Sequence, residues 1–168
     1  MSLILYTNPQ SRGRITHWML EEIGAPYETR VVDYGTTMKA PDYLAINPMG
    51  KVPALIHNGE VITEGAAIIT YLADAFPAAG LMPANRAAFF RWMFFGAGPV
   101  EAAVTNKALG VDVPTERRGM VGYGSMEAVT NPLAAQLEKT PYLCGDSFSA
   151  ADVYVGSQIG FGMRFKPI

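Results

Sequence analysis

The chain has 168 residues, 13 Lys and Arg against 15 Asp and Glu, a net charge of −2 and one cysteine. That length supports one or two small domains with a genuine core. Near-neutral charge without basic clusters argues against nucleic acid as a main partner. No apolar run approaches the roughly 20 residues of a membrane span, and Cys144 alone forms no internal disulfide.

The opening Met1-Ser2-Leu3-Ile4-Leu5-Tyr6 lacks a basic start and is too short for a secretion signal, so a cytoplasmic, reducing setting is expected. Leu3 to Tyr6 is apolar throughout and predicts a buried strand. Thr7 to Gly13 is a loop entering a helix, on which Ile15, Trp18, Met19, Glu22 and Ile23 fall at helical spacing and which Gly24 stops. Tyr27 to Asp33 predicts a second strand, parallel to the first across a β-α-β crossover.

Tyr34 to Ile46 is irregular, with one turn of helix after Pro41. Asn47-Pro48 and Met49-Gly50 are turn pairs, and Lys51 to Ile56 is a short strand carrying a proline near its start. The Val52-Pro53 bond is a good candidate for a cis peptide. His57-Asn58-Gly59-Glu60 is a hairpin turn with Asn-Gly at its centre, and Val61 and Ile62 begin the return strand. Thr63-Glu64-Gly65 opens a helix with Ile69, Leu72, Ala73 and Phe76 on one face. This design leaves the Val52 N–H and C=O unpaired beside a helix N-terminus. The first suits an extended peptide and the second a carboxylate.

Phe76 to Asn85 has two prolines and no period, and reads as a linker. Beyond it, strand-like alternation gives way to Ala-, Met- and aromatic-rich helical stretches. One helix is expected from Arg86 to about Ala108, bent at Gly96, Gly98 and Pro99. A second is expected from Pro114 to Glu138, loosened by Gly119, Gly122 and Gly124 and broken or kinked at Pro132. Trp92, Met93, Phe94 and Phe95 cannot share one face, so some pack in the core and others face a domain or subunit interface. Near the end, Ser149 and Asp152 form a capping box, with Phe148 and Val153 as a hydrophobic staple. His17 and His57 have no spacing that pairs them as metal ligands, and Cys144, in a Tyr-Leu-Cys-Gly turn, reads as a buried structural thiol.

Asn47-Pro-x-Gly-Lys-Val-Pro-Ala-Leu followed by Glu64-Gly65-Ala66-Ala67-Ile68-Ile69 resembles the glutathione-binding half of the cytosolic glutathione S-transferase family, in its bacterial, theta- or beta-like branch. The capping box near the end is a second, independent match. The resemblance implies an α/β thioredoxin-like domain over residues 1–77, a linker over 78–84 and an all-α helical domain over 85–168. It implies a homodimer, and glutathione as co-substrate together with a small hydrophobic electrophile. The chain ends at Phe165-Lys166-Pro167-Ile168, where the family continues for one or two helices that close part of the second-substrate pocket. The expectation is a shortened chain or one with a further tail.

Glutathione needs a backbone edge for its cysteinyl amide, a cation for its glycyl carboxylate, an anion site for its γ-glutamyl end and a group that stabilises its thiolate. On the resemblance, Val52 before Pro53 is the edge, Lys51 is the cation with Lys39 a weaker second, and Glu64 with the N–H groups from Gly65 onward hold the γ-glutamyl end. Many members place a hydroxyl residue after the Glu, and here Gly65 omits it. Ser11-Arg12 resembles the serine-type thiolate site of theta-like members. A hydroxyl donating to a thiolate contributes about 1.5–3 kcal/mol and a helix N-terminus about 0.3–1 kcal/mol, together between one and three pKa units.

Asn8 and Gln10 are alternative donors, Tyr6 is a weaker one, and Ser11 acting as nothing more than a helix cap is the plain alternative. Pro9, Met120 and Tyr123 are candidates for the electrophile pocket. No metal is implied. Two other functions share this scaffold: a glutathione-dependent disulfide reductase or peroxidase, and a non-catalytic glutathione-binding or protein-interaction module.

Overall fold

The computed structural model describes residues 2–165, with side chains to residue 163. Residues 166–168, and with them the expectation about the chain's end, lie outside the described residues. The chain divides into two compact units, Met1–Ala79 and Gly80–Ile168.

The first unit runs β1 (Leu3–Thr7), α1 (Gly13–Ile23), β2 (Glu28–Val31), a short α2 (Pro41–Leu44), β3 (Ala54–His57), β4 (Glu60–Thr63) and α3 (Gly65–Ala75). The strands form one sheet in the order β2-β1-β3-β4. β1 and β2 are parallel, as the crossover predicted, and β3 is antiparallel to both β1 and β4. This is a thioredoxin-like sheet. Asn58 turns the hairpin at φ 51° with Gly59 at φ 92°, positive values that the Asn-Gly pair tolerates best.

The period of two along the strands separates two cores. Tyr6 and Ala54 join Val32, Met38 and Tyr43 on one face, with Ile4, Ile46, Val52 and Ile56 packed around them. Leu3, Leu5 and Leu55 belong to the other face, where Met19 and Leu20 of α1 and Ile68, Ile69 and Leu72 of α3 are fully buried. Trp18 corrects the expected face of α1. It is 39 % exposed and its Nε1 donates to Glu22 at 2.7 Å, while Thr16 and Leu20 take the buried positions. β2 is shorter than the expected Tyr27 to Asp33, and Glu28 to Val31 lie on an exposed edge of the sheet.

His57 is a structural residue. Its Nδ1 pairs with the Tyr71 hydroxyl at 2.8 Å and its ring stacks on Phe76. Asn58 Oδ1 accepts from Ser2 N, which orients the Asn58 amide so that Nδ2 meets His57 Nε2.

The second unit is helical: α4 (Arg86–Phe95), a π-helical turn (Gly96–Val100), α5 (Glu101–Leu109), a 3₁₀ segment (Thr115–Met120), α6 (Met126–Leu137) and α7 (Ala150–Phe165). The bend expected at Gly96, Gly98 and Pro99 is the π turn. Trp92 and Met93 are buried, whereas Phe94 is 74 % exposed. The helix expected from Pro114 begins only at Met126, where the Ser125 side chain accepts from Ala128 N. Three glycines between 119 and 124 lower helix propensity enough to leave the preceding stretch as a 3₁₀ turn. Pro132 does not break α6. Its missing N–H leaves the Ala128 carbonyl without its helical donor, while buried Val129 and Leu133 hold the helix in place.

The Asp152 carboxylate accepts from Ser149 N at 2.9 Å, as the capping box requires, and also from Ser149 Oγ and Leu143 N. Cys144 is half-buried rather than buried, in the turn closed by the Tyr142–Gly145 bridge, and burial pushes its thiol pKa up. Among the described residues, no helix is long and apolar enough to cross a membrane.

Candidate functional site

Register gathers the site at one end of the sheet. Thr7 ends β1, Ala54 begins β3, and Ala54 pairs with Thr63, the last residue of β4. The segments that leave this end are residues 8–12, 51–53 and 64–65, the three stretches singled out from the sequence.

The first segment is held tightly. Asn8 is buried. Its Nδ2 donates to Val32 O at 3.0 Å and its Oδ1 accepts from Gln10 N at 3.0 Å, so the amide ties the loop to the end of β2. Ser11 Oγ donates to Asn8 O at 2.6 Å and accepts from Gly13 N at 2.9 Å. Its single proton is therefore engaged. Pro9 and Gln10 are exposed beside it. Tyr6 points into the core against Tyr43 and accepts from Arg30 at 2.9 Å.

Gly13 was not singled out from the sequence, yet it sets this geometry. A Cβ there would collide with Thr7 Oγ1 and lie 2.9 Å from Ser11 Oγ. Only a glycine lets the start of α1 sit this close to the end of β1.

The second segment is a built turn. Asn47 Oδ1 accepts from Met49 N, and Asn47 O accepts from Gly50 N. Lys39 Nζ donates to Met49 O at 3.1 Å and to Gly50 O at 2.8 Å. Gly50 has φ 56°, and a Cβ there would lie 2.8 Å from Lys39 Nζ. Two donors converge on Lys51 O: the Tyr43 hydroxyl at 2.5 Å and Asn47 Nδ2 at 2.9 Å. The Lys51 side chain is exposed and Pro53 is buried. Val52-Pro53 is cis, as its position suggested. The Val52 N–H and C=O make no hydrogen bond with the described residues, which leaves the edge open.

The third segment begins α3. Glu64 holds φ 67° and ψ 119°, and its side chain does not cap the helix. Ile68 N is the first amide paired, to Glu64 O at 2.9 Å. The Gly65, Ala66 and Ala67 N–H groups have no partner among the described residues, an arrangement that suits an anion because the helix dipole lies behind it.

Met120 and Tyr123 lie in the second unit. Met120 is 82 % exposed on the 3₁₀ segment. Tyr123 accepts from Asn106 Nδ2 at 2.9 Å and lines a cavity of about 230 Å³ with Lys107, Arg118 and Glu127. Among the described residues, no group of three or more His, Cys, Asp and Glu side chains could hold a metal ion.

Two tyrosines carry perturbed phenols. Burial pushes the Tyr43 pKa up to about 12, and burial with the Glu21 hydrogen bond does the same for Tyr27. In the folded chain both keep a proton that an unfolded tyrosine loses near pH 10. The stability they contribute is complete below pH 10 and is lost as pH rises towards 12. The urea midpoint is therefore expected to fall across that window, less steeply in Tyr43→Phe. A pH-independent midpoint would contradict it.

Comparison with known proteins gives the family. Residues 1–74 match the family model of the glutathione S-transferase N-terminal domain. A glutathione S-transferase of Xanthomonas campestris is 31 % identical over 160 residues, 90 % of this chain and 78 % of that protein. The chain belongs to the glutathione S-transferase family. The solved glutathione transferase of Methylococcus capsulatus superposes with a TM-score of 0.79 at 31 % identity, over 98 % of this chain and 84 % of that one. A sphingomonad glutathione S-transferase complexed with glutathione superposes with a TM-score of 0.74 at 32 % identity, over 97 % and 84 % of the two chains.

The three segments of the candidate site were legible as motifs. Tyr43 and Gly13 were missed. A Tyr and an Asn four residues apart just before the Pro-x-Gly turn, and a Gly directly after Ser-Arg, were the signals available.

Proposed function

We propose that this transferase binds glutathione along Val52 and α3 and activates its thiol for attack on a small apolar electrophile. The open Val52 edge and the uncapped start of α3, brought to one end of the sheet by the Ala54–Thr63 pairing, carry this reading. The cysteinyl amide pairs with the Val52 N–H and C=O. The exposed Lys51 ammonium attracts the glycyl carboxylate. Glu64 receives the γ-glutamyl amine, and the Gly65 to Ala67 amides receive its carboxylate. Lys39, engaged with Met49 O and Gly50 O, adds positive charge behind the turn.

The thiol meets Ser11. To reach it, the Ser11 proton exchanges Asn8 O for the sulfur. The hydrogen bond lost is neutral, worth about 1 kcal/mol, and the one gained is to an anion, worth about 1.5–3 kcal/mol. The exchange is downhill once a thiolate is present and uphill before, so Ser11 stabilises the ionised form selectively. Gln10, exposed next to it, and Asn8, already bonded at both ends of its amide, are the competing donors. The bound thiolate attacks an apolar electrophile lying against Pro9. Activation of the nucleophile and proximity do most of the work.

The test is the thiolate absorbance of bound glutathione titrated against pH, followed by conjugation of an aryl halide. A depressed thiol pKa with conjugation supports the reading. Binding without a depressed pKa makes the chain a glutathione-binding module, and turnover of a disulfide or hydroperoxide in place of the aryl halide makes it a reductase or peroxidase.

The glycine after Glu64 offers a gain-of-function check. Gly65→Ser adds a hydroxyl at the anion site, worth about 1 kcal/mol, so glutathione should bind about fivefold tighter by calorimetry. Unchanged or weaker binding would remove the γ-glutamyl group from this helix start.

A homodimer belongs to the same proposal, supported by the exposed rings of Phe90 and Phe94 on α4. Sedimentation is expected to show a dimer that Phe94→Glu splits. A wild-type monomer would refute it.

A further inference from the structure

We propose that Tyr43 and Asn47 are positioning residues for glutathione: together they aim and polarise the Val52 N–H that receives the cysteinyl carbonyl. This assignment rests on the binding reading above. It follows from one peptide unit. The Lys51 C=O and the Val52 N–H share a planar group, and the 51–52 bond is not among the cis peptides. In a trans unit the two bonds point in opposite directions. Whatever fixes the carbonyl therefore fixes the amide.

Two donors fix the carbonyl. The Tyr43 hydroxyl and Asn47 Nδ2 both reach Lys51 O, at 2.5 and 2.9 Å. Both come from the chain just ahead of the turn, Tyr43 from α2 and Asn47 three residues after that helix ends, and both are buried, at 3 % and 4 % exposure. Neither side chain is free to wander. The Tyr43 ring packs on Tyr6 at 5.5 Å, and Asn47 is anchored through its Oδ1, which accepts from Met49 N at 3.1 Å. With its carbonyl drawn towards these two donors, the peptide turns the Val52 N–H away from them, and no described residue accepts it. Two donors on one carbonyl also withdraw electron density across the amide, which makes its N–H a better donor.

The rest of the turn serves the same end. Lys39 holds the two preceding carbonyls, Met49 O and Gly50 O, so three consecutive peptides are tethered from the α2 side. Pre-orientation of this kind lowers the ordering cost of binding. It acts on affinity, and it does not touch the sulfur.

Two variants test this, each removing one donor while keeping its shape. Tyr43→Phe keeps the ring against Tyr6, and Asn47→Asp keeps the acceptor for Met49 N. Each is expected to raise the KM and Kd for glutathione about fivefold, while kcat at saturation holds within about twofold and the pKa of the bound thiol does not move. The loss is expected to be the same at 50 and 500 mM salt in Tyr43→Phe, because a neutral dipole is removed. In Lys51→Ala the corresponding loss should shrink with salt.

A variant that unfolds more readily yet binds glutathione like the wild type would overturn the assignment and leave the two residues as turn supports. So would a lowered kcat with a shifted thiol pKa and unchanged Kd. Wild-type protein that fails to bind glutathione would overturn the binding reading and this assignment together, whereas wild type that binds alongside unaffected variants overturns this assignment alone. Should Tyr43→Phe not fold, Asn47→Asp gives the same KM-against-kcat readout.

Discussion

Replacing Ser11 with alanine is expected to raise the pKa of the bound glutathione thiol by about one unit and to lower kcat/KM about tenfold at neutral pH. The magnitude comes from the exchange of partners. In the free protein the Ser11 proton is on Asn8 O at 2.6 Å. Moving it to a thiolate replaces a bond of about 1 kcal/mol with one of about 1.5–3 kcal/mol. The difference, about 1.25 kcal/mol at its middle, is close to one pKa unit. The loss should vanish at high pH, where the thiol is ionised with or without help, so the two pH–rate profiles converge there. Alanine also removes the acceptor for Gly13 N, which costs about 1 kcal/mol of stability, as a lost helix cap does. That loss alters the melting temperature and leaves the pH profile in place, so the two effects separate. If the thiol pKa in Ser11→Ala equals that of the wild type while Gln10→Ala raises it, Gln10 is the donor and Ser11 is a cap.

Gly13→Ala is expected to destabilise the first unit by about 2 kcal/mol and to lower the melting temperature by about 6 °C. The sign is the informative part. In an open helix position alanine is favoured over glycine by about 1 kcal/mol. Here the added methyl meets Thr7 Oγ1 and comes within 3.1 Å of Thr7 Cβ and 2.9 Å of Ser11 Oγ. Thr7 is buried and branched at Cβ, so it has few rotamers to escape into. The start of α1 must then move away from β1 and carry Ser11 with it. Misplacing a catalytic group by about 1 Å can cost 10²-fold in rate, so activity should fall further than stability alone explains. Thr7→Ala in the same chain should recover part of the stability. A Gly13→Ala protein more stable than the wild type would show that the close approach is not a constraint.

Both predictions concern atoms that no pattern in the chain displays, and this separates the two kinds of information. Periodicity, turn residues and capping residues are local properties of the backbone. The apolar run of Leu3 to Tyr6, the Asn58-Gly59 turn, the stop at Gly24 and the Ser149–Asp152 box therefore all appear where the sequence places them. The change from alternating strands to helices past residue 80 is a compositional fact and was visible as such. Val52-Pro53 and Glu64-Gly65 were recognisable because an open edge and a helix start are backbone features that proline and helix periodicity announce.

Tertiary packing decided the rest, because it concerns which side of an element is covered and which donor finds which acceptor. Trp18 obeys the helical period yet faces outward with its Nε1 on Glu22. Pro132 stays inside α6 because buried neighbours outweigh one absent hydrogen bond. Ser11 has one proton and several possible acceptors, and only the fold of the loop puts it on Asn8 O. Tyr43 and Asn47 converge on Lys51 O because α2 and the turn after it pack beneath the sheet's end. A chain can specify its elements through neighbours one to four residues apart, but a hydrogen bond chooses among all atoms within about 3 Å, and those atoms meet only once the chain has folded.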